Sequence, residues 1–122
     1  MSTLLGLLNA SGPEAVVFEV ADGMFQRETA ELLRSQAFAR AVDAVVFAAG
    51  DAMGSAAGVH SLRALGLPVV AASGLLTASP LAMREAATAA GTPVLDLEAL
   101  RSPSILDHVG FRLPQEAVVG AQ

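Results

Sequence analysis

Two carboxylates near the start of the chain are the residues best suited to chemistry. Glu19 lies inside a short apolar run, and Asp22 follows three residues later, in the loop that ends the run. A charge inside a buried strand is costly unless it is paired or bound to a cation. Carboxylate oxygens are ligands that Mg²⁺ prefers. The pair therefore predicts a magnesium site with Glu19 and Asp22 as metal ligands.

The same two carboxylates also have structural interpretations. Glu19 would pair with an arginine such as Arg27, and Asp22 would cap the helix that follows, since Asp-Gly after a strand is common turn chemistry. A third interpretation makes Glu19 and Asp22 the acid and base of a small-molecule enzyme. The residues alone leave these alternatives open.

Further candidate binding residues follow the apolar runs of the sequence. The backbone N–H groups of residues 26–29, with Arg27, would hold an anion at the start of a helix. The alternative there is a solvated first turn in which Glu28 is favoured by the helix dipole. The predicted cofactor-binding residues are Glu19, Asp22, Gly23, Arg27, Asp51 and Ser73.

The elements that must position these residues are strands and helices in alternation. Apolar, β-branched runs at residues 15–20, 43–49, 67–72 and 92–96 read as strands, and residues 26–41, the stretch ending at Gly66, and residues 80–90 have helical spacing. Such alternation predicts an α/β fold, a three-layer α/β/α arrangement with a mostly parallel sheet of about four strands. Ligands of such sheets bind at the carboxyl ends of the strands, where the candidate residues lie.

Composition limits the organisation and the partners of the chain. With 53% hydrophobic and 16% charged residues among 122, it has a core for one domain, which we place at residues 1–110, with a tail or edge segment at 111–122. The net charge of −5 argues against nucleic acid as a partner. All seven residues of the Lys and Arg set are arginine. Arginine without lysine indicates a GC-biased coding sequence, which suggests a bacterial source.

The residue types exclude several kinds of site. There is no cysteine, so disulfides and thiolate metal sites are excluded, and there is no lysine, so a Walker A motif is absent. The longest uncharged stretch, residues 64–83, is interrupted by glycine and proline, so we predict no membrane helix. With no basic segment before the apolar start, a secretory signal is not expected, and the predicted location is the cytoplasm.

The order of three segments, residues 15–23, 43–54 and 61–74, resembles the C-terminal half of dethiobiotin synthetase and the cobyrinic acid a,c-diamide synthase ATPases. The resemblance covers about residues 15–100. It implies half of a P-loop NTPase fold, with ATP and Mg²⁺ as cofactors. It also implies that Glu19 serves magnesium and phosphate, that Ser73 lies where the family places an asparagine against adenine, and that residues 93–97 lie near the segment closing the base pocket.

The chain departs from this family at informative positions. Glu-Val-Ala-Asp-Gly stands at residues 19–23 in place of Glu-Gly-x-Gly-Gly, Ser73 is not asparagine, and the segment that grips phosphate is missing. Independent ATP hydrolysis is therefore not expected.

Two functions from different classes are consistent with these features. The first is a nucleotide-binding-like α/β domain, a subunit or truncated remnant of such an ATPase, which needs a P-loop-bearing partner and exposes an apolar sheet edge near residues 16–20. The second is a non-catalytic, Rossmann-like or flavodoxin-like module that forms homo-oligomers through its uncovered edge.

Overall fold

The computed structural model describes residues 16–20, 23 and 26–110. The chain divides into two compact units, the first formed by Met1–Ala41 with Leu113–Gln122 and the second by Val42–Arg112. Asp22 and the tail predicted at residues 111–122 lie outside the described residues. The prediction of a single domain over residues 1–110 stays a prediction.

The described residues of the first unit form two short helices where the spacing predicts one. Helix α1 spans Arg27–Arg34 and helix α2 spans Gln36–Ala41. Between them, Ser35 has an extended backbone (φ −74°, ψ 143°), and its hydroxyl accepts a hydrogen bond from the Phe38 N–H at 3.0 Å. A serine side chain that satisfies backbone groups in this way competes with continuation of the helix. Ser35 therefore ends one helix and begins the next.

The strand predicted at residues 15–20 is wrong for the part of it that the structure describes. Residues 16–20 have no regular secondary structure, and Val17 is 93% exposed. A β-branched run becomes a strand only when a neighbouring backbone pairs with it, and composition cannot supply that neighbour. Glu19 is exposed as well, so its carboxylate is solvated and requires no cation to offset burial.

The second unit is a parallel strand-helix-strand arrangement followed by helices. Its elements are strand β1 (Val45–Ala48), helix α3 (Ala52–Ala64), strand β2 (Val69–Ser73), a 3₁₀ turn (Leu75–Ala78), and helices α4 (Pro80–Ala90), α5 (Leu97–Arg101) and α6 (Ile105–Val109). Strands β1 and β2 pair in parallel, with Val45 opposite Val69 and Ala48 opposite Ser73. The predicted α/β class and parallel pairing are confirmed.

The prediction of about four strands in three layers is not matched by the described residues, whose sheet has two strands. The segment predicted as the fourth strand contributes one bridge, between Val94 and Ala72. The Ala72 N–H donates to the Pro93 carbonyl (2.9 Å), and the Leu95 N–H donates to the Ala72 carbonyl (2.8 Å). The segment stops there because Pro93 has no N–H to donate and Asp96 already caps helix α5.

Helix α3 packs on the sheet through a glycine. A Cβ at Gly58 would overlap the ring of Phe47 on β1, so glycine lets the helix lie directly against this ring. The helix follows the predicted apolar stripe, with Val59 and Leu62 buried, and ends before Gly66, which has a positive φ of 80°. The core of the unit comprises Val59, Leu62, Leu67, Val69, Ala71, Ala72, Leu76, Ala86, Ala90 and Leu95.

Arg63 links three elements at the amino edge of the sheet, by which we mean the side on which the strands begin. Its guanidinium donates to the carbonyl of Ala90, at the end of α4, at 3.0 Å and to the carbonyl of Val69, at the start of β2, at 3.3 Å. A planar guanidinium presents several N–H donors in a fixed geometry. One side chain of α3 thus holds three elements together.

The carboxyl ends of β1 and β2 are joined by backbone contacts around Gly74. The Ala49 N–H donates to the Ser73 carbonyl (3.0 Å), and the Leu76 N–H donates back to the Ala49 carbonyl (3.1 Å). Gly74 has a φ of 99°, and a Cβ there would lie 2.6 Å from both the N and O atoms of Ala49. Backbone and conformation both require glycine at this position.

We therefore expect Gly74→Ala to destabilise the second unit by about 2 kcal/mol or more, from left-handed strain together with the clash against Ala49. Gly50→Ala is the matched control, because no atom lies within 4 Å of a Cβ at Gly50 and its φ is not positive. Urea unfolding followed by circular dichroism measures both changes. Equal stability of the two variants would contradict the junction described.

Candidate functional site

Asp51 lies at the carboxyl end of β1 and forms the N-cap of α3. Its Oδ1 accepts a hydrogen bond from the Gly54 N–H at 2.6 Å. The carboxylate thus takes up one of the unpaired amides of the first turn and places a negative charge at the positive end of the helix dipole. A phosphate approaching this turn meets a carboxylate first, so binding there requires a cation between them.

Ser73 ends β2, next to the point where β1 ends. The Ser73 side chain is buried, and its hydroxyl donates to the Leu95 carbonyl at 2.5 Å. This bond ties β2 to the segment that bridges it at Val94. The hydroxyl proton of Ser73 is therefore used within the fold, and only its acceptor capacity is left for a ligand. Of the predicted site residues, the structure brings Asp51 and Ser73 to neighbouring strand ends.

The remaining described candidates belong to the first unit. Arg27 pairs with Glu31, with Nε and Oε1 3.5 Å apart, and both side chains are exposed. Arg27 therefore pairs with Glu31 and not with Glu19, the partner that the alternative interpretation predicts. Gly23 is exposed and has a positive φ of 73°. Since Asp22 lies outside the described residues, a magnesium site made by Glu19 and Asp22 stays a prediction.

The amides of the anion site predicted at residues 26–29 are already hydrogen-bonded to a side chain of the protein. The Gln26 side-chain oxygen accepts hydrogen bonds from the N–H groups of Glu28 (3.1 Å) and Thr29 (3.2 Å). The Gln26 amide nitrogen in turn donates to the Glu28 carboxylate. Glutamine acts here as the N-cap, which satisfies the amides that an anion would use.

Sequence reasoning missed an apolar surface in the second unit, at the edge of the sheet where Asp51 and Ser73 lie. Met53, Leu75 and Leu97 are 82%, 83% and 59% exposed. Each lies at the start of the helix or 3₁₀ turn after β1, β2 and the Val94 bridge, respectively, and we call these three residues the carboxyl rim. A signal was present for Met53, which falls off the stripe that buries Val59 and Leu62 on the same helix.

Ser55 is another residue that the sequence interpretation did not single out. It lies in the first turns of α3 and is fully buried, and its hydroxyl has no hydrogen-bond partner. A buried hydroxyl without a partner costs about 1–3 kcal/mol. Ser55 and Gly58, one turn apart and both buried, mark the packed side of α3, whereas Met53 marks the solvent side.

Comparison with known proteins adds no relative: no family model, curated protein or solved structure matches this chain. Among the residues that the structure describes, no three His, Asp or Glu side chains are grouped so as to hold a metal ion. Within the same residues, no helix is long and apolar enough to cross a bilayer.

Asp51 provides a test that separates a cap from a ligand. Loss of the cap in Asp51→Ala is expected to lower the free energy of unfolding by about 1 kcal/mol, whereas Asp51→Asn keeps an accepting oxygen and stays within about 0.5 kcal/mol of the parent. Urea titration with and without magnesium measures both. A parent stabilised by magnesium, with Asp51→Asn as unstable as Asp51→Ala, would instead assign the carboxylate to a metal.

Proposed function

We propose that this chain is an α/β subunit that completes its sheet and its ligand site with another polypeptide, and that it is not an enzyme by itself. The observation that carries this proposal is the exposure of β1. Val46 is 39% exposed and Ala48 is exposed too, and β2 is the single sheet neighbour of β1 among the described residues. Parallel sheets are normally covered on both faces, and two strands alone are marginally stable.

In the first form of the proposal, the completed protein is a nucleotide-binding domain of the dethiobiotin synthetase type. The support is the resemblance in sequence together with the parallel β1-α3-β2 unit, which sets Asp51 and Ser73 at adjacent carboxyl ends. Because Asp51 occupies the first turn of α3 and the chain has no lysine, the partner must contribute the cationic group and the P-loop. Further strands would extend the sheet to about four in three layers.

The nucleotide itself would be ATP with Mg²⁺, with Glu19 and Asp22 as the proposed metal ligands. The adenine-side residue would be Ser73, and the setting would be the bacterial cytoplasm. The net charge of −5 supports a partner other than nucleic acid.

Titration calorimetry with magnesium-ATP tests this form on the chain alone and mixed with a P-loop-bearing partner protein. We expect binding in the mixture, because only the partner supplies a lysine, and we expect Glu19→Ala to weaken it at least about tenfold. Glu31→Ala is the matched control, since Glu31 is an exposed glutamate whose partner is Arg27. Absence of heat in every mixture would end the nucleotide proposal.

In the second form, the chain is a non-catalytic homo-oligomeric module whose β1 edge pairs with a second copy. The support is the composition of this edge. Residues 44–49 contain no charge and no proline, so the strand lacks the devices that usually keep sheet edges apart. The strand itself therefore brings no like charges together when two copies pair along β1.

Light scattering over a range of protein concentrations tests the second form. We expect the mass to rise with concentration and Val46→Lys to hold the chain as a monomer, because a lysine at an edge opposes pairing. Met53→Lys is the control, because it adds the same charge on α3, away from the strand. A melting temperature that depends on concentration and not on nucleotide supports assembly. A monomeric parent at all concentrations contradicts it.

A further inference from the structure

The carboxyl rim exposes three large apolar side chains on one edge of the second unit. Met53 and Leu75 are each more than four-fifths exposed, at 82% and 83%, and Leu97 is more than half exposed. Single exposed apolar residues are ordinary, whereas several on one edge mark an interaction surface. Methionine and leucine together form an adaptable apolar contact surface.

The backbone places these three residues on neighbouring segments. Ala49, which leads into α3, is bonded to Ser73 and Leu76, and Ser73 is bonded in turn to Leu95. The three segments are thus tied side by side at the points where Met53, Leu75 and Leu97 follow. Gly74 allows the first junction to be this close, because a Cβ there would meet the backbone of Ala49. The backbone segments that carry the rim are therefore held side by side.

Carboxylates accompany the apolar side chains, and no base does so. Asp51, Asp96 and Glu98 lie within segments 49–54 and 95–98, and segment 73–76 is uncharged. The first arginines that follow segments 49–54, 73–76 and 95–98 along the chain are Arg63, Arg84 and Arg101, respectively, so none lies within a segment of the rim.

The two aspartates keep acceptor capacity for a ligand. The Asp51 and Asp96 side chains each accept one amide hydrogen bond in a cap, at 2.6 and 2.8 Å. An ionised carboxylate has two oxygens and about four acceptor positions, so each aspartate has room for a further donor. The carboxyl rim and the carboxylates beside it thus form a surface that is apolar, acidic and rich in hydrogen-bond acceptors.

We infer that the carboxyl rim is the docking surface for a cationic amphipathic segment of the partner polypeptide. Leucine-like side chains of that segment contact Met53, Leu75 and Leu97, and its lysines or arginines meet the carboxylates. This surface rests on the proposed function, because it gives the chemistry of the chain that completes the site. A second copy of the chain is a poor occupant, because its own rim would place three more carboxylates against this surface. Each copy also carries a net charge of −5.

Fluorescence anisotropy tests this assignment with a labelled, amidated peptide of leucine and lysine, about 14 residues long, whose leucines recur at helical spacing. We expect saturable binding that weakens as salt is raised from about 0.05 to 0.5 M. The matched probe has glutamate in place of every lysine, and it should not bind.

The variants locate the contact. Met53→Gln/Leu75→Gln/Leu97→Gln should weaken binding at least about tenfold, a loss of about 1.4 kcal/mol. Val17→Gln/Leu65→Gln, which changes exposed apolar residues outside the rim, should weaken it less than about twofold. Thermal melts confirm that each variant is folded, and an unfolded triple variant is replaced by the three single substitutions.

Several outcomes would overturn the assignment. Equal binding by the parent, the rim variant and the control would mean that net charge alone holds the peptide. Rim variants that abolish self-association would make a second copy the occupant. Binding to anionic vesicles with no binding to the peptide would make the occupant a membrane surface. Val46→Lys should leave peptide binding unchanged, so failure of pairing along β1 and failure of the rim are told apart.

Discussion

The close approach of Gly74 to Ala49 is the contact on which the second unit depends. At φ 99° and with no Cβ, Gly74 lets the end of β2 lie against the backbone that leaves β1. The hydrogen bonds between Ala49, Ser73 and Leu76 form only at that separation. They fix where α3 and the 3₁₀ turn begin, and so they fix which side chains reach solvent at this edge. The packing of Gly58 on Phe47 then holds the helix down on the strand.

Elements with local signals could be predicted from the sequence. Helix α4 is bounded by a serine cap, a proline in its first turn and a left-handed glycine, all within the chain itself. Strands β1 and β2 are bounded in the same way by turn residues. Residues 16–20 carry an equally good apolar pattern, but a strand needs a paired backbone, and the described structure provides none for them. The break at Ser35 was missed because the apolar spacing continues through it while the side chain caps a new helix.

The polar candidate residues of the second unit were predicted as ligand-binding groups, and the structure shows the structural role that each one has. A carboxylate in the first turn after a strand looks the same in sequence whether it binds a ligand or caps a helix, because both uses need an acceptor at that place. Asp51 and Asp96 cap helices, and Ser73 ties the end of β2 to Leu95. Met53, Leu75 and Leu97 were not predicted as site residues, because the search was for polar groups. Apolar residues after a strand stand out only when their exposure is known.

The two edges of the sheet are held by different chemistry. The carboxyl edge depends on neutral amides and a glycine, whereas the amino edge depends on the Arg63 guanidinium, which donates to Ala90 and Val69. A planar guanidinium presents several N–H donors in a fixed geometry, so one side chain satisfies both carbonyls at once. Two elements at the amino edge, the end of α4 and the start of β2, therefore share one donor group on α3, and loss of that single side chain would release both carbonyls together.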